Sequence, residues 1–277
     1  MHALLLTILL LPMAEPVSQD AELVKAWLKV SQKHAEDYVI HPAGDAKATF
    51  AMLPQAVFRH SQPVRGDDIG AVYLWVDADK RPAVIGTTFA FTFQGDTRVV
   101  AHEFHSLADG PLTATWRGRE RWTPKQPGLE FRPIPMIPAA AADPKARVRQ
   151  AREIARRFSA NSIDHEERRW ELRLVTKPIH EFEAQRPHQI QCGSLFVMCQ
   201  GTDPELILSI EAKKQDGEFR WHYAAASFTD YALKLRLDDK EVWSAERRSI
   251  GPLLRHWSDV GSQERLPTNA NLQSETP

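Results

Sequence analysis

The chain is poor in cysteine, with only Cys192 and Cys199 among its 277 residues. The apolar run between them, SLFVM, predicts a buried strand. At about 3.3 Å per residue, seven steps along a strand separate two Cα atoms by about 23 Å, whereas a disulfide needs less than about 7 Å. We therefore expect two free thiols. Their spacing is also not the CxxC of redox and metal sites.

The chain also lacks the motifs that identify common enzyme classes. It has no GxSxG elbow, no Walker loop, no GxGxxG turn and no EF-hand loop, and no CxxCH haem attachment. Its 35 basic and 36 acidic residues give a formal net charge of -1, so no overall field attracts nucleic acid. We expect no organic cofactor and no nucleic-acid partner.

Only one run is long and uniformly apolar, Ala3–Ala14 (ALLLTILLLPMA), and a polar break at Glu15–Pro16 ends it. About a dozen residues is the length of a signal-peptide core and is short of the roughly 20 that span a bilayer. We interpret residues 1–14 as a signal peptide and expect an exported, soluble protein, periplasmic or extracellular, without a transmembrane segment. The alternative is a buried N-terminal helix or strand.

Residues 18–123 are predicted to form a helix and an antiparallel meander. Over residues 18–38, Leu23, Trp27 and Val30 recur at helical spacing. Short β-type runs with turn signals follow, and such short connections favour antiparallel neighbours. The expected strands are 48–59, 70–76, 83–93, 97–107 and a hairpin over 112–122 that turns at Gly118.

A proline-rich segment, residues 124–143, is interpreted as a linker, because six prolines lie from Pro124 to Pro144 and such a segment is extended. A loop that lies along one domain is an equal alternative. Residues 144–247 are predicted as a helix, capped by Asp143, and a second antiparallel sheet. The expected apolar stripe of this helix is Val148, Ala151, Ala155 and Phe158. The expected strands are 170–175, 179–183, 195–200, 206–212, 219–226 and a hairpin over 233–243.

The fold class expected from these patterns is α+β: a β-rich chain with two antiparallel sheets, each preceded by a helix. Residues 258–277 are polar and without periodicity, so we interpret them as a disordered tail. The second helix is also strongly basic, which suits either a solvated face or a grip on phosphates or an anionic membrane. We favour the solvated face. The basic residues are Lys145, Arg147, Arg149, Arg152, Arg156 and Arg157.

The densest group of titratable residues is His102-Glu103-Phe104-His105. On a strand, His102 and His105 face opposite ways, whereas on a helix the pair could share a divalent metal such as zinc. His60 or His41 could then supply a third ligand. The segment does not match the HExxH of metalloproteases. Satisfied polar residues at a sheet edge are the favoured interpretation, and a metal site on His102, Glu103 and His105 is the alternative.

Two further groups carry weaker signals. Gly201-Thr202-Asp203-Pro204-Glu205 is interpreted as a turn between strands, and Asp203 and Glu205 as a catalytic acid pair would have no identified partner. His180-Glu181-Phe182 suits a sugar-binding site and an exposed edge strand equally well.

Several segments, namely GAVYLWV, HEFHSL, WTP with PGLEFRPIP, LFVMCQGTDPELILSIEA and WHYA, resemble an uncharacterised exported family from planctomycete-type bacteria. The similarity covers most of residues 48–243. It implies export and a β-rich fold, and it supplies no catalytic residues because the family has no assigned activity. Members usually read DGALF where this chain has CGSLF at residues 192–196, which argues against a thiol-based role for Cys192.

The function expected is that of a non-catalytic exported module that binds a protein or small-molecule ligand through a sheet face or an exposed edge. The missing nucleophile and cofactor motifs, the several strand edges and the eight tryptophans favour it. The alternative is a metal-dependent hydrolase centred on the HEFH segment.

Overall fold

A computed structural model of the chain describes residues 19–62, 68–94, 97–185, 188–247 and 251–260. The signal peptide predicted over residues 1–14 lies outside the described residues. The described residues form two helices, α1 (Gln19–Glu36) and α2 (Pro144–Ala155), and eighteen strands. In chain order the strands are β1 (Tyr38–Pro42), β2 (Ala51–Met52), β3 (Phe58–Gln62), β4 (Asp68–Val76), β5 (Pro82–Gln94), β6 (Thr97–Ser106), β7 (Leu112–Trp116), β8 (Arg119–Trp122), β9 (Arg132–Pro133), β10 (Phe158–Ile163), β11 (Arg169–Leu174), β12 (His180–Glu183), β13 (Ile190–Gln200), β14 (Asp203–Gln215), β15 (Glu218–Ser227), β16 (Ala232–Leu237), β17 (Lys240–Ala245) and β18 (His256–Val260).

A six-stranded antiparallel sheet, ordered β18-β6-β5-β4-β2 with β3 also paired to β4, lies at the centre of the fold. Both faces of β4 are buried, because successive side chains on a strand point to opposite faces. Tyr73 and Trp75 enter one core, and Leu74 and Val76 enter another. This explains why GAVYLWV is apolar without alternation. Helix α1 packs across β4 and β5, with Trp27 buried beneath it.

The central sheet is covered on both sides by other sheets. A three-stranded sheet, ordered β1-β7-β8, covers one face and contributes Trp116 and Trp122 to the shared core. A nine-stranded sheet covers the other face and contributes Val197 and Ile207. The two halves of the chain are therefore joined by one continuous hydrophobic core.

The nine-stranded sheet is ordered β17-β16-β10-β11-β13-β14-β15-β9, with β12 paired to β13. It curls until its ends approach, since Arg132 of β9 donates to the carbonyl oxygen of Val242 of β17 at 2.5 Å. Helix α2 packs inside the curl, where Ala151 and Ile154 join the core formed by the strands. Asp143 caps this helix by accepting from the backbone N–H of Ala146 at 2.7 Å, as the sequence predicted.

The β-rich α+β class is confirmed, but the expectation of two sheets is wrong, because β1, β7 and β8 form a third sheet of their own. Within the proline-rich residues 124–143, Gly128 packs against Ser106 of the central sheet, and β9 further along pairs with β15 of the nine-stranded sheet. Residues 258–260, expected in a disordered tail, belong to β18 and pair with β6; residues 261–277 lie outside the described residues. No helix in the described part of the chain is long and apolar enough to cross a membrane.

Candidate functional site

The HEFH segment lies in the second half of β6, so its side chains alternate as a strand requires. The expectation of a sheet edge is wrong, because β6 is an interior strand between β18 and β5. His102 is fully buried on the side of the three-stranded sheet. Its Nε2 is 2.9 Å from Nδ1 of His34 and its Nδ1 is 2.7 Å from the hydroxyl of Tyr38. Burial raises the pKa of Tyr38 far above its ordinary value, so its hydroxyl stays protonated. The three residues form a buried hydrogen-bonded chain.

His105 points the opposite way, towards the nine-stranded sheet. Its Nδ1 lies 2.8 Å from the carbonyl oxygen of Ser227 and its Nε2 3.3 Å from that of Gly128. Glu103 accepts a hydrogen bond from Nε2 of His256 at 2.6 Å. His256 also stacks on His105, with ring centroids 6.1 Å apart, so Glu103 and His105 share this neighbour while His102 contacts a different set of residues.

A metal centre on His102, Glu103 and His105 does not fit this geometry, because the two histidines diverge across the sheet. Neither of the suggested third ligands joins them: His41 contacts its neighbour's carbonyl oxygen, and His60 contacts Thr87 on β5. Across the described ranges, no group of three or more His, Cys, Asp or Glu is arranged to hold a metal.

Asp203, suggested as one of an acid pair, lies 3.6 Å from Nδ1 of His60, whose Nε2 is 3.0 Å from the hydroxyl of Thr87. The order acid, histidine, hydroxyl is that of a catalytic triad. However, Thr87 is buried and donates to the carbonyl oxygen of Ala71 at 3.1 Å. Burial also lowers the pKa of His60 to about 4. We interpret this group as a structural tie between the two halves of the chain.

A cleft of about 210 Å³ opens where α2 enters the curled sheet. We call it the α2 cleft. It is lined by the first turns of α2, by Glu181–Glu183 of β12, by Cys192–Ser194 of β13 and by Trp221 of β15. The mouths of barrel-like sheets and the spaces between packed elements are common positions for ligand pockets.

Arg147 connects two walls of the α2 cleft. It is buried, which is uncommon for an arginine. Its guanidinium donates to both carboxylate oxygens of Glu183, at 3.1 and 2.7 Å, and to the carbonyl oxygens of Ala141 and Ala142. The hydrogen bond to Glu183 raises the pKa of Arg147, so its guanidinium stays charged. Such a bidentate pair fixes the distance between helix and strand.

The charges that line the α2 cleft balance. Lys145 and Arg147 are basic, and Glu181 and Glu183 are acidic. Arg152, which follows on α2, forms an ion pair with Glu181 at 3.2 Å. The basic helix face is therefore partly paired with β12 rather than wholly solvated.

The α2 cleft offers no activated nucleophile. Cys192 is only 4% exposed, and burial, followed by the charge of Glu183, raises the pKa of its thiol to about 12. A thiol of this kind is protonated and unreactive at neutral pH. Both Cys192 and Cys199 are free and buried on β13, which confirms the absence of a disulfide between them.

The indole of Trp221 is the most informative group in the cleft. Trp221 is 2% exposed, and its N–H has no hydrogen-bond partner in the part of the chain that the structure describes. The indoles of Trp116 and Trp122 are satisfied, since they donate to the carbonyl oxygens of His34 and Leu254. A buried N–H without an acceptor costs about 1–3 kcal/mol. Trp221 lines the α2 cleft, which makes its N–H a candidate donor to an oxygen of a bound molecule.

The sequence did not predict that the residues of the α2 cleft form a site, because nothing in it indicates that they lie close together. Trp221 looks like an alternating core residue, and Arg147 looks like one cation of a basic helix. Glu181 was singled out, and His180–Glu183 is an edge strand, which among the described strands pairs only with β13. Only the curl of the sheet brings these residues together.

Comparisons with protein-family models, with curated proteins and with solved structures find no match to this chain. The resemblance to a planctomycete-type exported family therefore stays a prediction.

Proposed function

We propose that the protein is a non-catalytic binding module that holds a small uncharged molecule in the α2 cleft. The observation that carries this proposal is the buried, unpartnered indole N–H of Trp221. Of the eight buried side-chain atoms without a partner in the described ranges, it alone belongs to a residue that lines either described cavity. Buried polar groups are nearly always paired, so an exception at a cavity wall points to a ligand.

The lining of the α2 cleft indicates the chemistry of that molecule. Pro144, Val148 and Phe182 offer apolar contacts, and the two basic and two acidic side chains cancel. A charged ligand would therefore lose hydration without gaining a net opposite charge. A volume of 210 Å³ equals about seven water molecules at roughly 30 Å³ each. An apolar ring that bears a carbonyl oxygen meets these requirements.

Binding without catalysis is favoured because the cleft lining contains no histidine and its one thiol is protonated. The rival hypothesis of a metal-dependent hydrolase has less support, since His102 and His105 face opposite sides of β6. Binding through a broad sheet face also has less support. Only four large apolar side chains are exposed in the described ranges, namely Val39, Met136, Leu253 and Leu254.

The test is a titration of the ¹⁵N-labelled protein with cyclohexanone, followed by the indole N–H signals in the NMR spectrum. We expect the signal of Trp221, assigned by its loss in Trp221→Phe, to move to saturation. The internal controls are Trp122, whose N–H is already bonded, and Trp75, whose buried N–H lacks a described partner but lines neither of the two described cavities. Both signals should stay in place.

Methylenecyclohexane is the matched probe, because it keeps the ring shape and lacks the oxygen. We expect it to leave the Trp221 signal nearly unmoved. If the two probes act alike, or if the Trp75 signal moves as far as that of Trp221, the proposal is wrong. A Trp221 signal that never saturates would also reject it.

We further infer that the module acts outside the cytoplasm, which rests on the apolar run Ala3–Ala14. The N-terminal sequence of the protein recovered from its native cells tests this. It should begin after Ala14, and retention of Met1 would contradict export.

A further inference from the structure

A second cavity, of about 370 Å³, lies between α1 and the strands beside it. We call it the α1 groove. One wall is the face of α1 that carries Val24, Lys25, Leu28 and Lys29, the other wall is the segment from Ala56 to Arg59, and Ala71 and Tyr73 of β4 form the floor. It shares no residue with the α2 cleft.

The charged side chains that line the α1 groove are all basic, and Glu36 lies beyond its end, where it accepts from Gln32 at 3.0 Å. Lys25, Lys29 and Arg59 line it, and no acidic side chain does. Lys25 has only a loose contact with Glu22 at 3.7 Å, on an exposed stretch of helix. Lys29 and Arg59 form no ion pair within the described ranges.

This concentration is unusual for the chain, whose formal net charge is -1. Two arginines elsewhere in the fold, both largely buried, have carboxylate partners: Arg81 pairs with Glu211, and Arg147 pairs with Glu183. Three like charges around one cavity repel each other, and a bound anion removes that repulsion.

The backbone fixes the direction of Arg59. It lies directly opposite Ala71 in the antiparallel register of β3 and β4, so both side chains leave the same face of the sheet. That is the face on which α1 packs, and Arg59 therefore projects towards Lys25 and Lys29 on the helix.

The floor and the lower walls of the groove are apolar. Val24 and Leu28 of α1 face Ala56 and Ala71, and Tyr73 is buried with its hydroxyl 3.3 Å from that of Ser31. The cations therefore stand at the rim of an apolar trough. The groove is held in shape from its end, where Gln32 donates to the carbonyl oxygen of Pro54 at 3.3 Å.

We propose that the α1 groove binds an amphipathic organic anion, with a carboxylate head between Lys29 and Arg59 and an alkyl chain in the trough. The cations satisfy the head by charge-assisted hydrogen bonds. The volume equals about a dozen water molecules at roughly 30 Å³ each, which suits a chain of medium length. This site is independent of the function proposed for the α2 cleft.

The test is calorimetric titration of the full chain with sodium decanoate below its micelle concentration. We expect one saturable site, whose affinity falls as salt rises because the rim charges are exposed. Lys29→Gln and Arg59→Gln should each weaken it about five- to tenfold, the loss of one charge-assisted hydrogen bond. Arg149→Gln is the matched control, since Arg149 is an exposed arginine of α2 without an ion pair in the described ranges, and it should change nothing.

The probes separate the contributions of head and chain. Acetate, the head alone, and decyltrimethylammonium, a matched chain with a positive head, should both fail to saturate the site. Trp221→Phe should leave decanoate affinity unchanged, which separates this site from the α2 cleft.

Equal binding of the cationic amphiphile would overturn the proposal, as would decanoate affinity that survives Lys29→Gln and Arg59→Gln. A loss caused by Trp221→Phe would place decanoate in the other cavity and would also reject it. The last measurement is binding of the protein to vesicles of anionic lipid. Binding to vesicles without binding of monomeric decanoate would also overturn the proposal and would assign the cations to contact with a membrane surface.

Discussion

Arg81 joins the two halves of the chain, and its replacement by alanine should be strongly destabilising. Its guanidinium donates to both carboxylate oxygens of Glu211, at 3.0 and 3.2 Å, and also contacts Asp109. Arg81 belongs to the turn before β5, whereas Glu211 lies on β14 and is 2% exposed. Arg81→Ala therefore leaves a buried carboxylate with only a longer contact, 3.7 Å, to Nζ of Lys213.

The expected loss is about 3–5 kcal/mol in the free energy of unfolding, the usual cost of breaking a buried ion pair from one side. The effect should depend on pH. Burial raises the pKa of Glu211, and the charge of Arg81 opposes that rise. Without Arg81 the folded-state pKa of Glu211 rises further above its unfolded value. Stability of the variant then falls as pH rises through that pKa and recovers as acid protonates the carboxylate.

Urea unfolding at several pH values measures both effects. Arg169→Ala is the matched control, because Arg169 pairs with Glu171 at 2.9 Å and both side chains are more than half exposed. It should cost no more than about 1 kcal/mol. The double variant Arg81→Met/Glu211→Leu should recover most of the lost stability. If Arg81→Ala costs as little as the control, or if acid does not narrow the gap to wild type, the reasoning is refuted.

Two further substitutions test the packing of the central sheet. Gly128→Ala should destabilise the protein by about 3 kcal/mol, because a Cβ there would overlap the backbone of Ser106. Gly110→Ala is the control and should be nearly neutral, because there is open space around Gly110. Equal melting temperatures of the two variants would contradict this prediction. His102→Leu should cost about 2 kcal/mol by leaving the hydroxyl of Tyr38 without its hydrogen-bond partner. The double variant His102→Leu/Tyr38→Phe should regain about half of that loss, and strictly additive losses in urea unfolding would count against the bond.

Local signals in the sequence predicted local structure well. Asp143 and Pro144 mark the start of α2, and the strand character of SLFVM correctly separates Cys192 from Cys199. The strand interpretation of the HEFH segment, one of the two left open, makes His102 and His105 diverge, as they do on β6. Each of these depends on neighbours within a few residues.

Long-range pairing could not be predicted in the same way. β1 pairs with β7, far along the chain, and this removes β7 and β8 from the expected meander. β10 was missed because Phe158 continues the helical spacing of α2, although the helix ends at Ala155 and Phe158 begins a strand. Hydrophobic spacing alone does not distinguish the last turn of a helix from the strand after it.

The candidate site depends on the same long-range structure. Arg147 and Glu183 meet because β12 pairs with β13 and so lies next to α2. Trp221 reaches the cleft because β15 lies in the curl of the same sheet. The unpartnered indole has no sequence signal at all. It is defined by the acceptors that the fold does not bring to it.

A crystal structure of the protein soaked with cyclohexanone tests the central claim most directly. We expect the carbonyl oxygen at about 2.9–3.0 Å from Nε1 of Trp221, the usual length of such a hydrogen bond, with the ring against Val148 and Phe182 of the α2 cleft. Clear density for the probe at another place, with the indole N–H still unpartnered, would contradict the account.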